Sequence, residues 1–105
     1  MATAHIHAGV CGFVTRVQAT LADDGQHVDL AITSDCPAVQ ALAAGLAGAD
    51  AYRETTYRGQ GPLTLALAAA RLPHPTCPVP AGILKAIEVA AGLALPAAVH
   101  IDLSA

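Results

Sequence analysis

From Gly12 to Thr33 the chain alternates apolar and polar residues on both sides of a short break, a pattern that commits this stretch to an antiparallel hairpin. Successive side chains of a strand point to opposite faces, so Phe13, Val17, Ala19 and Leu21 fall on one face and Arg16, Gln18 and Thr20 on the other. Asp23-Asp24-Gly25-Gln26 supplies the turn, with Gly25 free to take the positive φ that side chains resist. On the return, Val28, Leu30 and Ile32 alternate with Asp29, Ala31 and Thr33, which places the even residues against the same core. Ala4 to Val10 reads as a further strand, with Gly9 and Gly12 as sites for a bulge or a bend.

Helical spacing takes over after the hairpin. Ser34-Asp35-Cys36-Pro37 is a helix start, because Ser or Asp side chains cap free amides and proline is tolerated in the first turn. Val39, Leu42, Ala43 and Leu46 then recur on one helical face. Ala47 to Pro62 is read as a polar loop, and Leu63 to Leu72 as a second helix ended by Pro73. His74 to Pro80 holds three prolines and is expected to be an irregular, rigid approach to the longest helix. That helix begins near Ala81, carries Ile83, Leu84, Ile87, Ala90 and Ala91 as its apolar stripe, and is capped by Gly92. Beyond Pro96, Val99, Ile101 and Leu103 alternate with His100 and Asp102, so a final strand is expected there. The reading is therefore an α+β fold: an antiparallel sheet of three or four strands with about three helices packed on one face, as one domain over residues 1–105.

Composition narrows the function classes. Five basic against eight acidic residues give a net charge of -3, with no basic stripe to neutralise phosphates, so nucleic acid is not an expected partner. The longest apolar stretch, Val89 to Val99, is interrupted by Gly92 and Pro96 and falls short of the roughly 20 residues of a membrane span. No secretory signal is visible at the start, and the expected location is cytoplasmic. Only 12% of the residues are charged, which leaves room for a homodimer to cover apolar surface. Triads of Ser, His and Asp, paired catalytic carboxylates and phosphate-cradling glycine loops are all missing from the sequence.

Chemistry concentrates on three cysteines. Cys11, Cys36 and Cys77 are 25 and 41 positions apart, unlike the paired spacing of zinc ribbons or ferredoxins, and an odd number argues against a disulfide framework. Their contexts carry more information. Cys36 and Cys77 each precede a proline at an expected helix start, where exposed amides and the macrodipole favour a negative sulfur. Cys11 adjoins Gly12, whose bare backbone admits a bulky ligand, and it shares parity with Phe13, which would turn it toward the core. Cys36 continues the inward parity of the returning strand.

If the three meet, they suit an iron-sulfur cluster of the 4Fe-4S kind with one iron open or held by a non-cysteine group, serving redox or sulfur-transfer chemistry with a partner protein. The alternative is a structural zinc completed by His74. The bland reading is a metal-free interaction domain whose thiols are small buried hydrophobes. His5 and His7, on one strand face, are candidates to line such a site but read more simply as an exposed pair. His27 and His100 look solvent-facing. Tyr52, Arg53, Tyr57 and Arg58 are candidates for gripping an anionic substrate, against the default of a solvated loop. Asp35 is accounted for as a capping residue.

These landmarks also carry a resemblance. C-G-F-x-T at Cys11 to Thr15, S-D-C at Ser34 to Cys36, H-x-x-C-P-V-P at His74 to Pro80 and the run from Ile83 to Pro96 are similar to those of a family of small, single-domain prokaryotic proteins of uncharacterised function. The resemblance brings no activity with it. It does place all three cysteines and His74 inside motifs, which is what a shared site implies.

Overall fold

A computed structural model describes residues 1–105. Its frame is a four-stranded antiparallel sheet in the order β1-β2-β3-β4, formed by β1 (Ala2–His7), β2 (Val14–Leu21), β3 (His27–Ser34) and β4 (Gly48–Asp50). The expected hairpin is β2 and β3. Its register pairs Thr15 with Ser34, Val17 with Ile32 and Ala19 with Leu30, while β1 pairs Ile6 with Thr15 and Ala4 with Val17. One face of the sheet therefore collects Ala2, Ile6, Thr15, Val17, Ala19, Val28 and Leu30, all buried. The opposite parity, including His5, His7, Arg16, Thr20, Asp29 and Thr33, is exposed, so all the helices cover a single face.

The hairpin turn is held by Asp24. Its carboxylate accepts the backbone N–H groups of Gln26 and His27 at 2.9 Å each and pairs with the His27 imidazole, while Gly25 takes φ 72°. Those backbone donors, then the imidazole, hold the Asp24 carboxyl down at about 2, and the hydrogen bond to Asp24 raises His27 above 6.5.

Four helices follow β3: α1 (Pro37–Ala44), the single turn α2 (Ala51–Glu54), α3 (Leu63–Arg71) and α4 (Val79–Ala90). α4 is the main cover. It buries Val79, Pro80, Ile83, Ala86 and Ile87 against β1 and β2, leaving Lys85 in solvent. Its seat is set by Gly82, because a Cβ there would overlap the Cγ1 and Cδ1 of Ile6. Only glycine lets the helix come this close. α1 buries Val39 and Leu42 over β3, and α3 packs on α1 and α4 with Leu67 against Gly45.

Three expectations need correction. The polar stretch after Ala47 is not wholly loop, since Gly48–Asp50 pairs with the start of β3 and Ala51–Glu54 makes a helical turn capped by Asp50, which accepts from Tyr52 N at 2.9 Å. A hydrogen bond from Gln26 Nε2 at 2.9 Å anchors the same carboxyl and lowers its pKa. Conversely, the strand expected beyond Pro96 is missing, and Val99, Ile101 and Leu103 stand exposed in an extended tail. The fourth strand is β4, short and without side-chain alternation, and the tail has no strand beside it to pair with. α4 also starts at Val79, two residues before the expected start. No helix is long and apolar enough to cross a membrane.

Two measurements follow from this packing. Gly82→Ala should lower stability by roughly 1–2 kcal/mol despite alanine's better helix propensity, because Ile6 must leave its rotamer; Ile6→Val in the same chain should recover part of the loss in urea unfolding. An unchanged midpoint for Gly82→Ala would show that the contact is loose. His27 should titrate above 6.5 by NMR and return toward that value in Asp24→Asn. The pair's stabilisation is fully present between about 4 and 6.5, is lost as pH falls through the depressed Asp24 pKa, and is lost again as pH rises through the raised His27 pKa.

Candidate metal centre

The ends of three elements meet where β1 finishes and β2 begins. Cys11 lies in the turn that joins them, closed by Ala8 N donating to Phe13 O at 3.1 Å and Gly12 N donating to Gly9 O at 2.9 Å, with Gly12 at φ 74°. Cys36 lies two residues past Ser34, the last residue of β3, and Ser34 faces Thr15 near the start of β2. Cys77 lies two residues before α4. Because Gly82 rests on Ile6, whose cross-strand neighbour is Thr15, and the rest of α4 runs back over β1 and β2, the amino end of α4 overhangs this same edge. Topology thus brings all three cysteines to one end of the sheet.

Their local environments differ. Cys36 and Cys77 are half-buried and pack against the apolar core, whereas Cys11 is exposed. The expectation that Cys11 turns toward the core fails, because the Gly9 to Gly12 turn ends the strand alternation before reaching it. Cys36 keeps the inward parity foreseen for it. Ser34 fixes its position: Thr15 Oγ1 donates to Ser34 Oγ at 2.9 Å, the same Oγ accepts Cys36 N at 3.1 Å, and Gln40 Nε2 donates to Ser34 O at 2.7 Å. Cys36 is itself the N-cap of α1 and no side chain caps that helix, so the capping role read into Asp35 is not realised and Asp35 is exposed. Cys77 N donates to His74 O at 3.3 Å in the turn before α4, and His74 is exposed.

All three thiols are free. No three His, Cys, Asp or Glu side chains are grouped closely enough to hold a metal ion in this conformation. Cys36 and Cys77 belong to the packed body, and Cys11 lies on an exposed turn. His5 and His7 lie on the open face of the sheet, opposite the helices that carry Cys36 and Cys77.

A second polar region occupies the other end of the sheet. A cleft of about 290 Å³ is lined by His27, Asp29, Asp50, Arg53, Glu54 and Leu63 among others. Glu54 is 2% exposed, and its oxygens accept Leu63 N and Thr64 N, both at 2.8 Å, and the Thr64 hydroxyl. This buried carboxylate was read in the sequence as part of a solvated loop, and the signal that would have found it is its position ahead of Pro62-Leu63-Thr64, a helix start with no capping side chain of its own. Arg53 Nε donates to Gly61 O at 3.1 Å and so ties the same loop, while Tyr52, Tyr57 and Arg58 are exposed. Of the four, only Arg53 lines this cleft.

A family model described as a family of unknown function (DUF6951) matches residues 2–103. No curated protein and no solved structure matches the chain.

Two outcomes are expected here. A thiol reagent should modify Cys11 first, with Cys36 and Cys77 lagging, and Ser34→Ala should accelerate Cys36 alone; equal rates at all three sulfurs would contradict the packing described. Glu54→Ala should cost about 3 kcal/mol, because the buried Thr64 N–H and hydroxyl and the part-buried Leu63 N–H lose their acceptor, and a variant as stable as the parent chain would remove Glu54 as the anchor of α3.

Proposed function

The chain belongs to this family of unknown function, and from its own residues we propose that it is a metal-cofactor protein that holds an iron-sulfur cluster through Cys11, Cys36 and Cys77. What supports the reading is the topological gathering of three free thiols, remote in sequence, at one end of the sheet. Two of them sit at helix starts. Cys36 caps α1 and Cys77 precedes α4, and the unpaired amides there favour the negative charge of a thiolate-bound cluster. The third sits on the exposed turn between β1 and β2, between Gly9 and Gly12 at positive φ.

Cys11, Cys36 and Cys77 would hold three irons of such a cluster and leave the fourth open or bound by a non-cysteine group, and the cluster would supply redox or sulfur-accepting chemistry there. The protein's part is to supply the sulfurs, with Cys36 and Cys77 packed against the core and Cys11 exposed where a redox or sulfur-transfer partner reaches it. A cytoplasmic, reducing compartment suits free thiols of this kind. The zinc reading replaces the cluster with a Cys3His set using His74, and is favoured by one observation, the turn that links His74 to Cys77.

Purification without oxygen, followed by iron, sulfide and zinc analysis and a visible spectrum, tests the proposal. Iron and sulfide in near-stoichiometric amounts with thiolate-to-iron absorption are expected, and each single Cys→Ser variant should lose most of both. Stoichiometric zinc weakened by His74→Ala would replace the cluster with the structural site. A colourless, metal-free protein that also fails to take up a cluster reconstituted from iron and sulfide would reject both, leaving an interaction domain with packed thiols.

A further inference from the structure

The segment after α4 is the least explained part of the molecule. Leu95, Val99, Ile101 and Leu103 are between 58% and 91% exposed, although Val99, Ile101 and Leu103 alternate with His100 and Asp102 as a strand buried on one face would. Residues Ala94 to Val99 border a shallow cavity of about 210 Å³ beside Lys85, Glu88 and Val89, the side of α4 turned away from the sheet. The tail therefore leaves the body on the helical side and does not reach the sheet of its own chain.

The sheet, meanwhile, ends on β1, which pairs only with β2 and offers its other edge unpaired. A free edge of this kind is a template for another strand. Its core-side residues, Ala2, Ala4 and Ile6, are mostly small, so a neighbouring strand would have room there for branched side chains. Its open-face residues, Thr3, His5 and His7, are hydrogen-bond donors, and a strand that buried Val99, Ile101 and Leu103 would present the Asp102 carboxylate on that same face. Lengths agree as well: β1 has six residues, and the alternating part of the tail is of the same order.

We propose that the tail around Val99 to Leu103 adds as a strand to the free edge of β1 in a second copy of this chain, and that the exchange is reciprocal, giving a closed dimer of two five-stranded sheets. A two-fold partner satisfies both needs at once, since every copy contributes its open β1 edge and one unpaired apolar strand. It uses none of the cysteines and stands apart from the cluster reading.

Sedimentation equilibrium of the full chain, combined with amide hydrogen exchange on β1, tests this. A dimer at micromolar concentrations is expected, with slow exchange at the outward amides of β1. Ile101→Asp should weaken dimerisation at least 100-fold and speed that exchange; because Ile101 is 75% exposed in the single chain, the fold should be unaffected, and Leu103→Asp serves as the second variant. A monomer at all concentrations overturns the proposal, whether β1 exchanges fast or is protected by the chain's own tail. So does a dimer that neither variant weakens, which would place the contact on another face.

Discussion

The close approach of α4 to β1 at Gly82 and Ile6 organises the rest of the molecule. It places the longest helix directly on the sheet, so that Val79, Ile83, Ala86 and Ile87 are buried with Val17 and Ala19 in one core. It also fixes direction. With Gly82 over the last part of β1 and further contacts to β2, the helix begins near the end of the sheet where β1 finishes. The placement of Cys77 is thus a consequence of a glycine five residues later.

Polar chemistry is divided between the two ends of the sheet, and the division explains why one end is a candidate site and the other is structural. At the end where β3 begins, the carboxylates are already engaged: Asp24 holds the hairpin turn, Asp50 caps α2 and anchors Gln26, and Glu54 accepts the first amides of α3. At the cysteine end, hydrogen bonds run from Thr15 to Ser34 and from Cys36 N and Gln40 to Ser34, which position a sulfur without engaging it.

Much of this architecture is legible in the residues. The parity of Val17 and Ala19 against Val28 and Leu30 specifies the hairpin and its inner face, and the helical spacing of Val39 and Leu42 and of Ile83 and Ile87 specifies two of the helices. β4 is not legible, because Gly48-Ala49-Asp50 has no strand pattern and forms only where the backbone comes alongside β3. The tail misleads for the opposite reason: its alternation is a true strand signal, but a strand needs a partner edge and the chain does not bring one to it. Cys36 was placed correctly by parity, and Cys11 was not, because a glycine turn interrupts the alternation between the strands. Glu54 is legible only from farther along the chain, through the helix start at Pro62-Leu63-Thr64 that has no capping side chain of its own and whose amides it accepts.

The gathering of the three sulfurs is the claim on which the functional reading stands. Chains carrying only two of the three cysteines, the third replaced by Ser, and spin-labelled at both, report each pairwise separation by electron paramagnetic resonance. With all three at one end, every pair should lie well inside the length of β2, roughly 27 Å for eight residues of strand. Any pair separated by that length or more would place a cysteine at the far end of the sheet and contradict the account.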